Sequence, residues 1–432
     1  MHTASPEKLS TDCCIVGGGP AGLMLGYLLA LAGVRVVVME KHADFLRDFR
    51  GDTIHPSTLQ ILHHLGLLEE FLTLPHQRAE KLQSETGGEM VTLADFSRLP
   101  VKCRFIAFMP QWDFLNFMAA KAAALPNFTL LKSTRFDSLI YQGDRLNETD
   151  PFSDGIKGKK VSQVGASVAD SKNDKVCGVR ANTGDKQIEI LAQLVVGADG
   201  RSSEVREQAG LTGHAFGSPR DVLWFRLAKR PDDPQWSSGH QGPKQNFIMI
   251  DRGDFWQCGL SIPKEEYPAM IDRGLPFLKD QVAAVAPFPA ERMDELAEWD
   301  DFKLLIIRID RLDNWAREGL LCIGDAAHAM SPIGGVGVNL AIQDAVATAN
   351  LLAVPLLKGK LTLRQLRKVQ KRRQFPTCAT QFIQIKMSGK KRKESQGSPI
   401  PGLIRRFPFL PYVFGWIIGM GFRTERPRSG RS

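Results

Sequence analysis

Three groups of residues in this 432-residue chain have the types and spacing to do chemistry. The first is Gly17-Gly18-Gly19-Pro20-Ala21-Gly22, in which Gly17, Gly19 and Gly22 fit the pattern G-x-G-x-x-G. In such a pattern the first glycine permits a tight turn. The second lets a pyrophosphate approach the backbone, and the third lets a helix pack closely on a strand. Glu40 follows at the distance where an acid can accept hydrogen bonds from a ribose 2′-hydroxyl. The second group is Gly197-Ala198-Asp199-Gly200, running into Arg201, Ser202, Ser203 and Arg206. It gathers an acid, backbone N–H groups and two arginines at one strand end, a setting for a phosphorylated cofactor. The third is Gly324-Asp325-Ala326-Ala327-His328, continuing through Pro332 and a glycine cluster to Asn339. Asp325 at a strand end suits a sugar-alcohol chain. The glycines bring N–H groups and a helix N-terminus to one spot, where the helix dipole would stabilise the anion of a reduced flavin.

These groups need elements to hold them. Asp12–Val16 reads as a first strand, Pro20–Ala32 as a helix closed by Gly33, and Val34–Met39 as a β-branched second strand. That is a βαβ unit opening a parallel sheet. By itself the unit does not choose between NAD and FAD; the Asp325 group does. Leu194–Val196 and Leu320–Ile323 read as buried strands ahead of the other two groups, and Val338–Leu352 as a strongly apolar helix. His55–Glu70 and Trp112–Ala124 carry helical patterns. Between residues 215 and 310 lie candidate strands at Val222–Leu227, Phe247–Ile250, Phe255–Ile262 and Leu304–Ile309, with one helical stretch near 275–298. Their spacing predicts an inserted, mostly antiparallel sheet.

Composition is ordinary for a soluble globular protein: 43% hydrophobic and 24% charged residues. The net charge of +9 is a property of the tail, because the segment from Lys386 onward has eleven basic residues against Glu394 and Glu425. The remaining body is neutral, which argues against nucleic acid as a partner. Seven scattered cysteines without a C-x-x-C pair predict reduced thiols in a cytoplasmic protein with no bound metal. Residues 143–175, rich in Gly, Ser, Asp, Asn and Lys, read as a flexible insertion.

The three motifs, in this order and spacing, resemble those of the single-component FAD-dependent aromatic hydroxylases, the para-hydroxybenzoate hydroxylase-like group A monooxygenases. The resemblance covers about residues 10–355. It implies an α/β (α+β overall) fold: a Rossmann-like FAD-binding domain from residues 8–75, 105–215 and 303–355, a substrate-binding sheet from 76–104 and 216–302, and a helical, basic region over 356–432. It implies that Gly17, Gly19, Pro20, Ala21 and Gly22 cradle the FAD pyrophosphate and that Glu40, with Lys41 beside it, holds the adenosine ribose. Asp199 then lies near the pyrophosphate, Gly324 and Asp325 meet the ribitol, and Pro332, Gly335, Gly337, Val338 and Asn339 line the isoalloxazine ring. Arg50 and Gln111 match cofactor-facing positions, with a surface ion pair or a helix cap as the plainer alternative. The implied reaction uses NAD(P)H and O2 through a flavin C4a-hydroperoxide to oxygenate a small aromatic or polycyclic substrate. The flavin carries that chemistry, so no catalytic acid, base or nucleophile is nominated.

Substrate recognition falls to the inserted sheet. Trp224 and Trp256 are candidate walls of an aromatic pocket, or else core residues; Arg226 is a candidate anchor, or else solvated. His328 is expected to order its loop. In the tail, the uncharged stretch Phe407–Phe422 between basic flanks offers two readings: peripheral contact with an anionic membrane, or folding back over the FAD domain. Competing functions are a halogenase or prenyl-chain reductase, or a flavin-free escort protein on the same fold. The halogenase reading lacks both tryptophans of W-x-W-x-I-P, since the chain has Cys258-Gly259-Leu260-Ser261-Ile262-Pro263.

Overall fold

The computed structural model describes residues 7–46, 52–86, 89–146, 174–233, 238–241, 245–388 and 399–428. Arg50, residues 147–173 of the expected insertion, and the run Lys390–Lys393 lie outside them.

The first strand, Glu7–Val16, starts exposed and ends fully buried at Cys13–Val16. Its neighbours are parallel: Val36–Met39 on one side and Lys186–Gly197 on the other. Phe128–Leu131 and Leu320–Cys322 extend the sheet in parallel on its two flanks, and antiparallel pieces finish the edges. Strands covered on both faces read as apolar runs, as these do. The helix Pro20–Leu31 is apolar on every side because it lies between this sheet and the long helix Gly337–Leu357. Gly26 permits that depth: a side chain there would press on Val38 and Phe128. Helix Gly337–Leu357 with its lead-in is long and apolar enough to cross a membrane, yet two-thirds of it is buried inside the protein as a core helix.

A second, seven-stranded sheet runs Lys303–Leu305, Arg220–Ala228, Phe255–Pro263, Asn246–Asp251, Ser238–Gln241, Lys81–Thr86, Glu89–Asp95. All pairings are antiparallel except Ser238–Gln241 with Lys81–Thr86. Period-2 alternation gives the sheet two different faces. Leu223, Phe225, Phe247, Met249, Trp256, Cys258 and Leu260 form its own core under the helices Tyr267–Arg273 and Leu275–Ala283. Trp224, Arg226, Gln257 and Gly259 point the other way.

Several elements differ from the sequence expectation. The helix expected over His55–Glu70 is two helices, Pro56–His64 and Leu68–Phe71, because Gly66 takes a φ of 72° that ends the first. The stretch near 275–298 is likewise divided, into the helix Leu275–Ala283 and a short 3-10 turn, Ala290–Glu295, and a further helix, Tyr267–Arg273, precedes it across Gly274 (φ 89°). The apolar tail takes one of its two expected courses and folds back, but onto the second sheet rather than over the FAD domain alone. Helix Leu410–Gly419 lies on the strand Glu89–Asp95, and its glycines make this possible: a side chain at Gly415 would overlap the Asp95 carbonyl, and one at Gly419 would press on Phe96, Leu99 and Pro56. Beyond it, Glu425 pairs with Arg372 (2.7 Å) and its N–H donates to Gln343.

Candidate active site

The first glycine turn is built by exclusion. Gly17 has a φ of 111°, and a Cβ there would overlap the carbonyl of Ala198. A Cβ at Gly22 would overlap the carbonyl of Gly17. Gly19, the N-cap of Pro20–Leu31, is the opposite case: a Cβ would meet no protein atom within 4 Å. Two glycines let protein pack on protein, and the third keeps the helix N-terminus approachable. Pro20 opens the helix at a position whose N–H has no intrahelical partner in any case, and Ala21 is buried behind it.

Glu40 is only 9% exposed at the end of the second strand. Its two oxygens accept from the N–H of Gly18 and of His42, both at 3.1 Å, so the acid braces the glycine turn from outside. A carboxylate has lone pairs left for a hydroxyl after two such bonds. Lys41 is exposed beside it.

The Asp199 turn abuts Gly17 through Ala198. Asp199 Oδ2 accepts from the N–H of Val205 (3.1 Å), and Ser203 caps the same short helix by accepting from Arg206 N–H (3.0 Å). Burial pushes the Asp199 carboxyl above the usual range, ahead of the lowering effect of its hydrogen bonds. Its neighbour Arg201 reaches 3.6 Å from Asp325, so the second and third motifs meet.

Gly324 turns with a φ of 59°, close to Ala21 and Ala341. His328 holds this turn from beneath. Its Nε2 lies 2.6 Å from Asp344 Oδ2, while Asp344 also accepts from Gly324 N–H (3.2 Å) and from Arg373 Nε (2.9 Å). These side chains are at most 2% exposed. Burial pushes the Asp344 carboxyl up, but His328 and Arg373 outweigh it and leave it below the usual range. His328 therefore orders its loop.

The loop Pro332–Val336 uses left-handed glycines at 334 (φ 78°) and 335 (φ 63°). A side chain at Gly335 would overlap Thr53, whose hydroxyl donates to the Gly335 carbonyl (3.0 Å). Asn339 clasps the same two segments: its Oδ1 accepts from His55 N–H (2.9 Å) and the Thr58 hydroxyl (2.7 Å), and its Nδ2 donates to Thr53 and Gly335 carbonyls (3.1 and 3.3 Å). Gly337 and Val338 open the long helix here, and Gly337 again has no protein atom near a notional Cβ. Two helix N-termini, at Gly19 and Gly337, are thus both unobstructed. This is a cradle with room and dipoles for a long, anionic dinucleotide, and its donors fit FAD.

Against the outward face of the second sheet lies a cavity of about 350 Å³, closed on its other side by Asp52, Phe108, Pro110 and Trp112. Phe108, Trp112 and Phe255 give it aromatic walls, and Arg226 and Arg252 face it. Gln111 stands at its border, where its N–H is 3.4 Å from Asp52 Oδ1. Of the two tryptophans proposed as pocket walls, Trp224 is on the sheet face toward the cofactor domain, packed against Gly259. Trp256 is not a wall. It is fully buried on the opposite face, and its Nε1–H donates to Asp233 (2.8 Å). Alternation along Phe255–Pro263 sends Phe255 and Gln257 to the cavity and Trp256 and Cys258 to the inner core. The sequence reading missed Arg252, Asp52 and Gln257. Asp-Arg-Gly at 251–253 reads as an ordinary hairpin turn, and nothing local says that its arginine is buried.

A family model for an FAD binding domain matches residues 10–164 and 154–382, and the chain belongs to that family. It is an FAD-dependent monooxygenase of the para-hydroxybenzoate hydroxylase-like group. Among curated relatives, 6-methylpretetramide 4-monooxygenase of Streptomyces rimosus is 32% identical over 390 residues, covering 90% of this chain and 86% of the relative. The 3-demethoxyubiquinol 3-hydroxylase of Escherichia coli is 26% identical, with 79% of each chain covered. In three dimensions the chain is similar to PqsL of Pseudomonas aeruginosa, a probable FAD-dependent monooxygenase, with a TM-score of 0.69 at 22% identity over 93% of this chain and 99% of that one.

Proposed function

We propose that this enzyme takes its electrons from NAD(P)H and hydroxylates a polycyclic aromatic substrate held in the cavity against the second sheet. The observation that carries this reading is the aromatic-walled cavity of about 350 Å³, whose lining includes Asp52, the chain neighbour of the Thr53 that bonds Gly335. The relative named for a pretetramide ring system supports the polycyclic class.

In this reading the two domains are a discontinuous FAD domain and the inserted sheet. Gly17 and Gly22 close the turn and Gly19 leaves the pyrophosphate room at the helix N-terminus, Glu40 takes the adenosine ribose, and Asp325 takes the ribitol. FAD held there would supply the hydride-accepting and oxygen-activating chemistry. The chain's own residues orient and insulate. The N-terminus of Gly337–Leu357 offers positive potential where negative charge develops. Asn339 keeps the glycine loop from drifting, and Phe108, Trp112 and Phe255 exclude water. The enzyme is read as cytoplasmic. Docking of the tail on a membrane has no support beyond its basic, aromatic composition; one face of its apolar helix packs on the strand Glu89–Asp95 through Gly415, while Val413 and Trp416 stay exposed.

The experiment is spectroscopy and turnover on purified protein. Flavin absorption bands, and NAD(P)H oxidation coupled to O2 uptake and accelerated by a hydroxylated naphthacene, are expected. An O2-independent reduction, or a product that requires chloride, would defeat the reading.

A further inference from the structure

Arg252 stands at the hairpin tip between Asn246–Asp251 and Phe255–Pro263, yet its side chain is only 5% exposed. Its Nε and Nη2 both donate to Gln257 Oε1 (2.9 and 2.6 Å), and Nη2 is 2.6 Å from Asp52 Oδ2. The guanidinium plane is therefore fixed by two domains at once: Gln257 from the sheet, Asp52 from the segment leading to Thr53. Its remaining nitrogen, Nη1, is buried with no acceptor among the described residues. A buried donor on a charged group is costly when left unused, so a guanidinium held this firmly with one nitrogen spare is suited to a bond that the protein itself does not make. Arg252 lines the cavity with Phe108, Trp112 and Phe255.

We propose that Arg252 Nη1 anchors an oxygen acceptor on the aromatic substrate's ring system, and that Asp52 and Gln257 are positioning residues for that guanidinium. The inference rests on the cavity being the substrate site. The charges around it favour a neutral oxygen (phenol, quinone or amide) over a carboxylate. Arg226 and Arg252 are matched by Asp52 and Asp113 on the cavity wall, and Asp251 is already paired with Lys229 at 2.6 Å. The anchor is also linked to the cofactor loop, because Asp52 is followed by Thr53, which bonds Gly335. Holding one ring oxygen at Arg252 would therefore fix which ring carbon is presented to the cofactor.

The test uses the full chain supplied with FAD and two probes of equal shape, 1-naphthol and 1-methylnaphthalene, titrated calorimetrically. The readout is the ratio of their affinities. Arg252→Met should lower the naphthol-to-methylnaphthalene ratio roughly ten- to a hundredfold, the range of one hydrogen bond from a charged donor. Arg252→Lys should lower it as well, because lysine can keep the charge beside Asp52 but has no fixed fork to present the spare donor, and this variant guards against loss of folding in the first. An unchanged ratio in the folded variants, or a wild-type chain that binds neither probe, would overturn the inference. NAD(P)H-driven O2 uptake, measured separately, reports on the proposed function; its absence would sink that reading and leave the titration result standing.

Discussion

The cofactor cradle and the proposed substrate cavity are built by different means. The cradle is made of backbone. Its shape comes from glycines at 17, 22, 324 and 335 that let main chain approach main chain or a neighbouring side chain, and from helix N-termini at Gly19 and Gly337. The cavity is made of side chains brought from far apart in sequence, such as Asp52 with Arg252, and Trp112 with Phe255. The difference separates two kinds of vulnerability. A backbone site fails all at once when a Cβ is added, whereas a side-chain site can be retuned one group at a time while the cofactor remains bound. The sheet domain also has its own core under its own helices, so damage to that core should not reach the cradle directly.

The largest effect is expected at the cradle. Gly17→Ala puts a methyl group onto the Ala198 carbonyl in a backbone conformation that alanine rarely adopts, and the variant should purify without flavin, as read from the ratio of flavin to protein absorbance. Retention of wild-type flavin would break the comparison at its root.

Next is the buried pair inside the sheet domain, where Arg292 and Asp233 lie 2.8 Å apart with side chains 2% and 4% exposed. Asp233 also receives Trp256 Nε1–H. Arg292→Met leaves a buried carboxylate with its charge partner gone and should cost roughly 3–5 kcal/mol of stability in chemical denaturation. If the two regions are as separate as their cores suggest, protein that remains folded should keep its flavin. Parallel loss of flavin and of sheet stability would show that they fail as one unit.

A pH measurement sharpens the comparison where the regions meet the tail. His55 is fully buried; its Nδ1 is 2.8 Å from the Ile418 carbonyl, and burial lowers its pKa to about 4. The unfolded chain takes up this proton near the ordinary value of about 6.5, and the folded one only near 4. The neutral histidine's contribution is therefore complete above pH 6.5 and is lost as pH falls toward 4. The loss approaches about 3 kcal/mol, with the carboxylates adding their own acid dependence. His55→Gln should flatten this part of the stability-against-pH curve; an identical slope in the variant would remove the assignment.

The smallest effect belongs to an exposed ion pair between the first strand and the residue leading into the second. Arg35 pairs with Asp12 at 2.7 Å, but its side chain is 61% exposed. Arg35→Ala should cost less than about 1 kcal/mol and leave flavin content untouched.

Legibility in the sequence followed the same division. The glycine turn, Glu40, the Asp199 turn and the Asp325 turn could be located because each is a local pattern: a strand, a tight turn, a helix start. The partners of these turns could not. That Asn339 would clasp Thr53 and His55, or that His328 would be locked by Asp344 and Arg373, depends on contacts between residues tens to hundreds of positions apart. Trp256 was open to two readings because a tryptophan on an alternating strand looks the same whichever face is covered. Only the placement of the helices Tyr267–Arg273 and Leu275–Ala283 made its face the core.

By itself, then, the sequence determined the backbone half of this protein: a βαβ entry, three cofactor turns in order and an inserted antiparallel sheet. Short-range sterics and the two-residue and 3.6-residue periods act over a few neighbours and are written in consecutive residues. The tertiary structure alone decided which side chains face one another across the cavity, which sheet face is wet, and where the apolar tail lies. Those outcomes depend on burial, and burial is settled only when distant segments compete for the same apolar surface.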